Sequence, residues 1–242
     1  MFKYFVLFFK IGIYFIFAYP KLLIYSLLKN HISYERRYKF SLRILKMLSW
    51  GFGCKYEIKG LENVPEGNNL VFCPNHQAVL DPLIVTLFKD KRFLIIAKQE
   101  SSKYPYVGRV AKLMDVLFLD REDFRKSLLT MKEASKILSN GDKNMLIFLE
   151  GTRSKNENFK MNDFKPGGLK PAFENHSTII PIAMTGYYRL LTTKNNKLTY
   201  KIQIEFLKPI TYEDYKDKTT IEVAESMNKL VSERVDELMK SA

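Results

Sequence analysis

Residues 70–82 read LVFCPNHQAVLDP, an apolar run followed at once by polar residues able to do chemistry. His76 and Asp81 stand five positions apart, and an ideal helix would point their side chains ~140° from each other. They can meet only across a turn, which Pro82 favours because the residue before a proline avoids the α region. Proline also suits the first position of a helix. The stretch therefore predicts a buried strand, a turn and a helix that begins at Pro82.

The histidine and the aspartate have two interpretations. In the first, His76 is a catalytic base and Asp81 accepts from its ring to orient it. In the second, Asp81 is only the N-cap of the helix that follows, and His76 is an ordinary loop histidine. Spacing alone does not separate the two, so the rest of the chain has to decide.

Short apolar runs separated by helical stretches continue from Gly53 onward, a pattern typical of an α/β fold with a largely buried sheet. The seven expected strands are 56–59, 69–73, 93–97, 116–119, 144–149, 179–184 and 200–206. The last alternates apolar and polar residues, so we expect an edge or half-exposed strand. Helices are expected over 123–139 and after the capping pair Thr219 and Glu222. We therefore expect residues 51–242 to form a mixed, largely parallel central sheet flanked by helices.

The first fifty residues differ from this body. Residues 4–20 read YFVLFFKIGIYFIFAYP, apolar except for Lys10, and no signal-peptide cleavage pattern follows them. Aromatic residues with spaced lysines are more typical of an interfacial segment than of a buried helix. We expect a membrane-dipping helix or a hairpin bent near Pro20, with a single span as the alternative.

Residues 33–50 place apolar side chains at helical spacing and cations between them, which predicts an amphipathic helix. A helix lying on an anionic bilayer has this pattern. The alternative is a surface helix packed on the core. The aromatic segment before it favours the bilayer, so residues 1–50 are expected to form a membrane-associated helical motif.

The composition of the chain limits the classes of ligand and partner that we expect. The chain has 242 residues, a net charge of +13, two cysteines and three histidines. So few cysteines and histidines leave no zinc-ligand spacing and no disulfide framework, so we expect no metal. The positive charge predicts an anionic partner. Nucleic acid is not expected, because no recognised binding module accompanies the basic residues.

Two further polar stretches follow expected strands. Asp120-Arg121 comes after one, and residues 150–154, EGTRS, come after another. Ligands of open α/β sheets bind beyond the carboxyl ends of the strands. An arginine there offers a planar fork of donors that suits phosphate, and Gly151 permits close approach of the backbone. The pattern favours a phosphate-binding site on the same sheet edge as His76.

Taken in order, the sequence blocks 75–81, 118–121 (FLDR), 150–154 and 180–182 (IPI) resemble the four motif blocks of the glycerolipid acyltransferase family. The resemblance covers residues 51–185, including the FKPGG segment at 164–168. It implies a glycerol-3-phosphate acyltransferase-like α/β domain carried on an N-terminal membrane-associated motif. Three departures bear on pocket shape and acceptor choice: Ala78 for serine, Leu149 for proline, and Met114-Asp115 for a glycine-rich turn.

The resemblance also implies roles for individual residues. His76 would be the general base and Asp81 its partner, with Asn75 in support. Six residues would contact the acceptor and its phosphate: Glu150, Gly151, Thr152, Arg153, Arg121 and Lys98.

The implied reaction moves a fatty acyl group from acyl-coenzyme A or acyl carrier protein to the sn-2 hydroxyl of lysophosphatidic acid. It needs no cofactor, and it would take place at the cytoplasmic face of the cell membrane among membrane lipids. Three alternatives stay open. In the first, the acceptor would be another lysolipid or glycerol-3-phosphate. In the second, the acyl group would pass through a covalent intermediate on Cys73. In the third, the chain would be a non-catalytic lipid-binding protein of the membrane surface.

Overall fold

The computed structural model describes residue 6 and residues 8–154, 160–191 and 197–241. Within them lies a seven-stranded sheet in the order β1-β7-β6-β2-β5-β3-β4. The strands are β1 Cys54–Lys59, β2 Leu70–Pro74, β3 Phe93–Lys98, β4 Leu117–Leu119, β5 Asn144–Leu146, β6 Thr178–Thr185 and β7 Tyr200–Phe206. Every neighbouring pair is parallel except β6 with β7. The expected mixed, largely parallel sheet is confirmed.

Helices cover both faces of the sheet. They are α1 Ile13–Leu27, α2 Tyr34–Gly51, α3 Pro105–Leu113, α4 Phe124–Leu138, α5 Lys170–Glu174, α6 Tyr212–Tyr215 and α7 Thr220–Lys240. Strand β2 shows why both faces need cover, because Phe72 enters the core beneath α1 to α3 while Cys73 enters the core beneath α4 to α7. A strand buried on both sides reads as a continuous apolar run.

The expected helix signals are present. Asp123 caps α4 by accepting from the Lys126 backbone N–H at 3.1 Å, and Thr219 and Glu222 form the capping box of α7. The helix expected from Pro82 is a 3-10 helix over Asp81–Leu87.

Strand β7 is not an edge strand, so the edge alternative of that expectation is wrong. It lies between β1 and β6, and the edges are β1 and β4. Two of its polar positions carry ion pairs, and one of them, Lys201, is also exposed to water. Lys201 Nζ lies 2.5 Å from Glu57 on β1, and Glu205 lies 2.6 Å from Arg234 on α7. The alternation of apolar and polar residues in β7 shows that its two faces differ. It does not show which strands pair with β7 on either side.

The chain does not bend at Pro20. Helix α1 runs through this residue, and the reversal comes between Leu28 and Ser33, where α2 begins. Pro20 removes one backbone hydrogen bond, but buried Ala18 and Leu22 hold the turns on either side of it against the protein. The expected bend near Pro20 is therefore wrong, and the hairpin that forms instead joins α1 to α2 about two turns later.

Helices α1 and α2 pack antiparallel. Tyr25 and Phe40 have ring centroids 5.1 Å apart, and Lys10 lies 4.8 Å from the Trp50 ring. A Cβ on Gly51 would overlap the Ile11 side chain, so a larger residue there would force Ile11 to move. The stretch Phe9–Leu27 is long and apolar enough to cross a membrane, with 11% of its apolar window buried.

The apolar face of α2 is buried, so it is not the surface that meets a bilayer. Phe40 and Ile44 lie in the core shared with the sheet. Four of the cations expected on the opposite face are exposed, and these are Arg36, Lys39, Arg43 and Lys46. The alternative interpretation, a surface helix packed on the core, is the correct one.

Arg37 is the exception among the cations of α2. Its guanidinium donates to both carboxylate oxygens of Asp115 at 3.2 Å and to the Leu113 carbonyl at 2.9 Å. Lys29 Nζ lies 2.5 Å from the same carboxylate. Burial works to raise the pKa of Asp115, but the hydrogen bonds from Arg37 and Lys29 hold that pKa below its usual value. This ion cluster ties the N-terminal hairpin to the segment that enters β4.

We expect Arg37→Met to lower the free energy of unfolding by about 2 kcal/mol, because it strips a half-buried carboxylate of its bidentate partner. Arg43→Met, on the exposed face of the same helix, should change it by less than about 0.5 kcal/mol. Thermal unfolding in detergent compares the two. Equal destabilisation by both would show that Arg37 is no more than a surface charge.

Candidate active site

The polar blocks of the sequence meet at one edge of the sheet. Strands β6, β2, β5, β3 and β4 are mutually parallel neighbours, so their carboxyl ends lie side by side. His76 follows β2, Glu150 follows β5, Lys98 ends β3 and Arg121 follows β4. This is the edge at which α/β sheets bind ligands.

One oxygen of Asp81 organises the turn that carries His76. Asp81 Oδ2 lies 2.8 Å from His76 Nδ1 and accepts from the backbone N–H groups of Gln77 at 2.7 Å and Ala78 at 2.8 Å. The carboxylate is buried. Asp81 is the first residue of the 3-10 helix, whose N-cap is Leu80, and no side chain caps that helix. The N-cap interpretation of Asp81 is therefore wrong, because its carboxylate binds the turn before the helix.

The hydrogen bond to Asp81 fixes the histidine tautomer. An ionised carboxylate only accepts, so Nδ1 carries the proton and Nε2 keeps a lone pair. The ring packs on Phe148 with centroids 4.3 Å apart. Its side chain is 17% exposed, and no group in the described part of the chain bonds to Nε2. The free nitrogen is available to a proton donor brought by a ligand.

Asn75 joins the turn to the neighbouring strand. Its side-chain amide donates to the Met184 carbonyl at 3.0 Å, and its side-chain oxygen accepts from the Met184 N–H at 2.7 Å. The side chain so continues the β2–β6 ladder by one step beyond the strand. The position of the backbone at His76 is thereby set from one side.

Glu150 fixes the position of the His76 backbone from the other side, that of β5. One carboxylate oxygen accepts from the His76 N–H at 2.6 Å. The other accepts from the Asn162 N–H at 2.8 Å, from its side-chain amide at 3.0 Å and from Ser154 Oγ at 3.1 Å. Burial raises the pKa of Glu150, against the pull of hydrogen bonds from Asn162 and His76. The resemblance implied that Glu150 contacts the acceptor, but protein donors occupy both oxygens and the side chain is buried.

The residues after Glu150 return to the surface. Gly151 adopts φ +71°, and a Cβ there would lie 3.1 Å from Lys165 Cε. Thr152, Arg153 and Lys165 are exposed. Two cations therefore flank this loop beside His76, with the glycine leaving room between the backbone and the lysine.

Lys98 and Arg121 lie further along the same edge. Lys98 pairs in register with Leu119 of β4, two residues before Arg121. Strand spacing places the ends of β3 and β4 about 10 and 14 Å from that of β2. Lys98 Nζ is 2.6 Å from Glu100, so it is already ion-paired. The structure does not bring these two cations into direct contact with His76.

An open groove of about 430 Å³ lies beside the ends of β3 and β4. It is lined by Gln99, Phe118, Asp120, Lys126, Leu129 and Thr130. Its size falls within the range of small-molecule sites. The lining includes Asp120, the residue before Arg121, and does not include His76, so the groove extends the edge instead of enclosing the histidine.

Cys73 is unsuited to act as a nucleophile. Its side chain is fully buried, and burial raises the pKa of the thiol. A thiol held neutral in an apolar core behaves as a small hydrophobic residue. Among the described residues, no group of three or more His, Cys, Asp and Glu side chains is arranged to hold a metal ion.

Two further residues belong to this site. Asn162 holds Glu150 and is itself held by Asn228, which donates to its carbonyl at 2.9 Å. No sequence signal marks Asn162, because it stands in a loop without a motif. Lys165 lies in the FKPGG segment, and that segment was the available signal for the lysine beside Gly151.

The site combines a histidine that can act as a base with a rim of cations along the carboxyl edge of the sheet. These cations are Arg153, Lys165, Lys98 and Arg121. A neutral imidazole with one fixed and one free nitrogen can take a proton from a hydroxyl near neutral pH. Cations along the rim attract a negatively charged ligand to it.

Known proteins are similar to this chain in sequence and in fold. The family model described as "Acyltransferase" matches residues 55–185. The 1-acyl-sn-glycerol-3-phosphate acyltransferase of Borreliella burgdorferi is 31% identical over 140 residues, 58% of this chain and 55% of that protein. The human alpha form is 29% identical over 178 residues, 72% of this chain and 62% of the human protein. The probable enzyme of that name from Mycoplasma pneumoniae is 30% identical, over 73% of this chain and 69% of that protein.

A solved structure agrees on the fold. The crystal structure of the 1-acyl-sn-glycerophosphate acyltransferase PlsC from Thermotoga maritima matches with a TM-score of 0.70 and 23% identity, covering 98% of this chain and 95% of that one. The family model spans more than half of the 242 residues. The chain therefore belongs to the acyltransferase family.

Proposed function

We propose that this chain transfers a fatty acyl group from a thioester donor to the sn-2 hydroxyl of lysophosphatidic acid, giving phosphatidic acid. The observation that carries the proposal is the His76–Asp81 pair, 2.8 Å apart, held at a sheet edge bordered by cations. The relatives named as 1-acyl-sn-glycerol-3-phosphate acyltransferases support this acceptor.

His76 acts as the general base in this proposal. Nε2 takes the hydroxyl proton as the oxygen attacks the thioester carbonyl, and Asp81 stabilises the imidazolium that forms. The new C–O bond replaces the C–S bond, and the proton passes from His76 to the departing sulfur. The hydroxyl attacks directly, because buried Cys73 offers no thiolate for a covalent intermediate.

The acceptor phosphate is proposed to bind the cations along the rim. Arg153 follows Glu150 on the strand next to His76, and Lys165 lies against Gly151. Lys98, at the end of β3, lies one strand beyond β5, and Arg121, which follows β4, lies two strands beyond it. A phosphate bound near Arg153 would be close enough to present a neighbouring hydroxyl to Nε2. Thr152 contributes a hydroxyl donor at the same loop.

Glu150 is proposed as a positioning residue. Its carboxylate holds the His76 N–H at 2.6 Å and the loop through Asn162, so it sets where the imidazole stands without meeting the acceptor. Asn75 also fixes the position of the His76 backbone, through its hydrogen bonds to Met184 of β6.

The donor is proposed to be acyl-coenzyme A or acyl carrier protein, and no cofactor takes part. Both donors are anionic, and the chain carries a net charge of +13. We propose that residues 1–50 hold the catalytic body, residues 51–242, at the cytoplasmic face of the cell membrane. The apolar stretch Phe9–Leu27 supports the membrane contact.

Release of free thiol on mixing the protein with lysophosphatidic acid and either donor tests the reaction. We expect His76→Ala to reduce turnover about 10³-fold, because it removes the base. Cys73→Ser should keep most of the activity. Loss of turnover in a folded Cys73→Ser protein would contradict direct attack, and no thiol release from the unaltered protein with either donor would favour a lipid-binding role.

Glu150→Gln should lower kcat by about tenfold to a hundredfold, because the amide cannot accept at both ends and the imidazole shifts. The KM for lysophosphatidic acid should change little. Glu225→Gln, on the exposed face of α7, is the matched control and should match the unaltered protein. A rise in KM with constant kcat would instead place Glu150 in acceptor binding.

Arg121→Ala should raise the KM for lysophosphatidic acid about tenfold, because a charged contact to phosphate is lost. Arg125→Ala removes an exposed cation in the first turn of α4 and should have little effect. Steady-state kinetics over a range of acceptor concentrations separates the two. Equal KM values in both variants would exclude Arg121 from the phosphate site.

A further inference from the structure

The groove beside the ends of β3 and β4 has no part in the chemistry proposed for His76. It has a volume of about 430 Å³ and is lined by residues of β4 and α4 together with Gln99, which follows β3. Strand β4 is an edge strand of the sheet. Thr130 of α4 donates to the Phe118 carbonyl of this strand at 3.4 Å. The contact holds helix and strand together, so the fold itself forms the groove.

The lining of the groove combines apolar and polar groups. Leu129 is 64% exposed, and with Phe118 it supplies the apolar part. Gln99 adds a side-chain amide and Lys126 an ammonium group. Ligand sites are typically apolar with a few placed polar groups. A ligand with an apolar body, amides and a negative charge would be satisfied by this lining.

The Lys126 ammonium is accessible to an anion. Its side chain is 65% exposed, and its ion pairs with Asp120 and Asp123 are 3.3 and 3.4 Å long. Exposed ion pairs contribute little to stability, so Lys126 can exchange one of them for a phosphate at small cost. The carboxylates keep other donors, because Asp120 accepts from the Glu122 N–H at 3.2 Å and Asp123 from the Lys126 N–H at 3.1 Å.

The distance from His76 to the groove matches one part of a thioester donor. In the strand order β2-β5-β3-β4 the end of β4 lies about 14 Å from that of β2. Acyl-coenzyme A and acyl carrier protein both carry their thioester on a phosphopantetheine arm. About thirteen bonds separate its sulfur from its phosphorus, and an extended chain of that length spans roughly 15 Å. With the thioester at His76, the phosphate of the arm therefore falls at the groove.

The acceptor does not account for the groove. In lysophosphatidic acid about four bonds separate the sn-2 oxygen from the phosphorus, a span of roughly 5 Å. Its phosphate therefore stays near the ends of β2 and β5. A flexible side chain such as that of Arg121 can extend toward this phosphate, but a groove between a strand and a helix cannot.

We propose that the groove between β4 and α4 binds the phosphate end of the donor's phosphopantetheine arm, with Lys126 on the phosphate, Gln99 on an amide and Leu129 against the dimethyl group. This inference deepens the proposed function and rests on it, because it assumes a thioester donor. The arm lies across the ends of β5 and β3. The phosphates of donor and acceptor then occupy different parts of the carboxyl edge, one at β4 and one at β5.

Donors of different length test this assignment. Lys126→Ala should raise the KM for acyl-coenzyme A or acyl carrier protein about tenfold, because a charged contact to phosphate is lost. An S-acyl-N-acetylcysteamine donor keeps the thioester and one amide but ends before the groove, so its rate should be the same in the variant. The KM for lysophosphatidic acid should also stay constant. Running both full-length donors shows which of them the groove serves.

Two further variants separate binding in the groove from effects on the fold. Leu129→Asp places a carboxylate in the groove at an exposed position, and it should raise the donor KM by about tenfold through repulsion of the phosphate. Lys132→Ala removes an exposed cation of the same helix outside the groove and should match the unaltered protein. Equal losses on full-length and truncated donors, or a rise only in the KM for lysophosphatidic acid, would overturn the proposal.

A binding measurement distinguishes this proposal from the proposed reaction, because it needs no turnover. Coenzyme A, the holo form of the carrier protein and phosphate-free pantetheine are each titrated into the full chain by calorimetry. We expect Lys126→Ala to bind the phosphorylated ligand about tenfold more weakly and to bind pantetheine as the unaltered protein does. Equal affinity of the two proteins for the phosphorylated ligands, or no binding of either ligand, would overturn the groove assignment. Thiol release decides the reaction separately.

Discussion

A single buried oxygen holds the active-site turn together. Asp81 Oδ2 accepts from the His76 ring and from two consecutive backbone N–H groups. A buried carboxylate is costly unless donors satisfy it, so the turn has little freedom to take another shape. Glu150, which follows the adjacent strand, also holds this turn, because its carboxylate accepts from the His76 N–H. The histidine therefore stands between two carboxylates, one facing its ring and one facing its backbone.

The parallel sheet explains how residues far apart in sequence share this site. Each parallel strand returns to the same edge after a crossover, so β2 and β5 deliver His76 and Glu150 side by side. The one antiparallel pair, β6 with β7, has a different effect. It reverses β1 and so brings the end of α2 to the active-site edge. The end of α2 and His76 thereby lie on one side of the molecule.

Local patterns predicted the local features. Apolar runs gave the strands, capping residues gave the starts of α4 and α7, and the spacing of His76 and Asp81 with Pro82 gave the turn. Long-range neighbours were less accessible. The alternation in β7 could not show that β1 pairs on its far side, and the proline rule could not show that packing would carry α1 through Pro20.

The candidate site was likewise predictable in its local features and less so in its long-range contacts. The pairing of His76 with Asp81 follows from the chain, but the use of both Glu150 oxygens depends on Asn162, a loop residue without a motif. Direct roles for Thr152, Arg153, Arg121 and Lys98 stay predictions, because they depend on a ligand. Exposed side chains of this kind are positioned by what they bind as much as by the fold.

The burial of Cys73 has a consequence for an enzyme that would handle thioesters. An activated acyl group passes readily to any accessible thiolate, and such an enzyme meets its donor at every turnover. The chain has two cysteines, and burial raises the pKa of both thiols. Neither presents a ready thiolate at neutral pH. In the proposed reaction, the thioester donor would therefore meet no reactive thiolate on the protein that binds it.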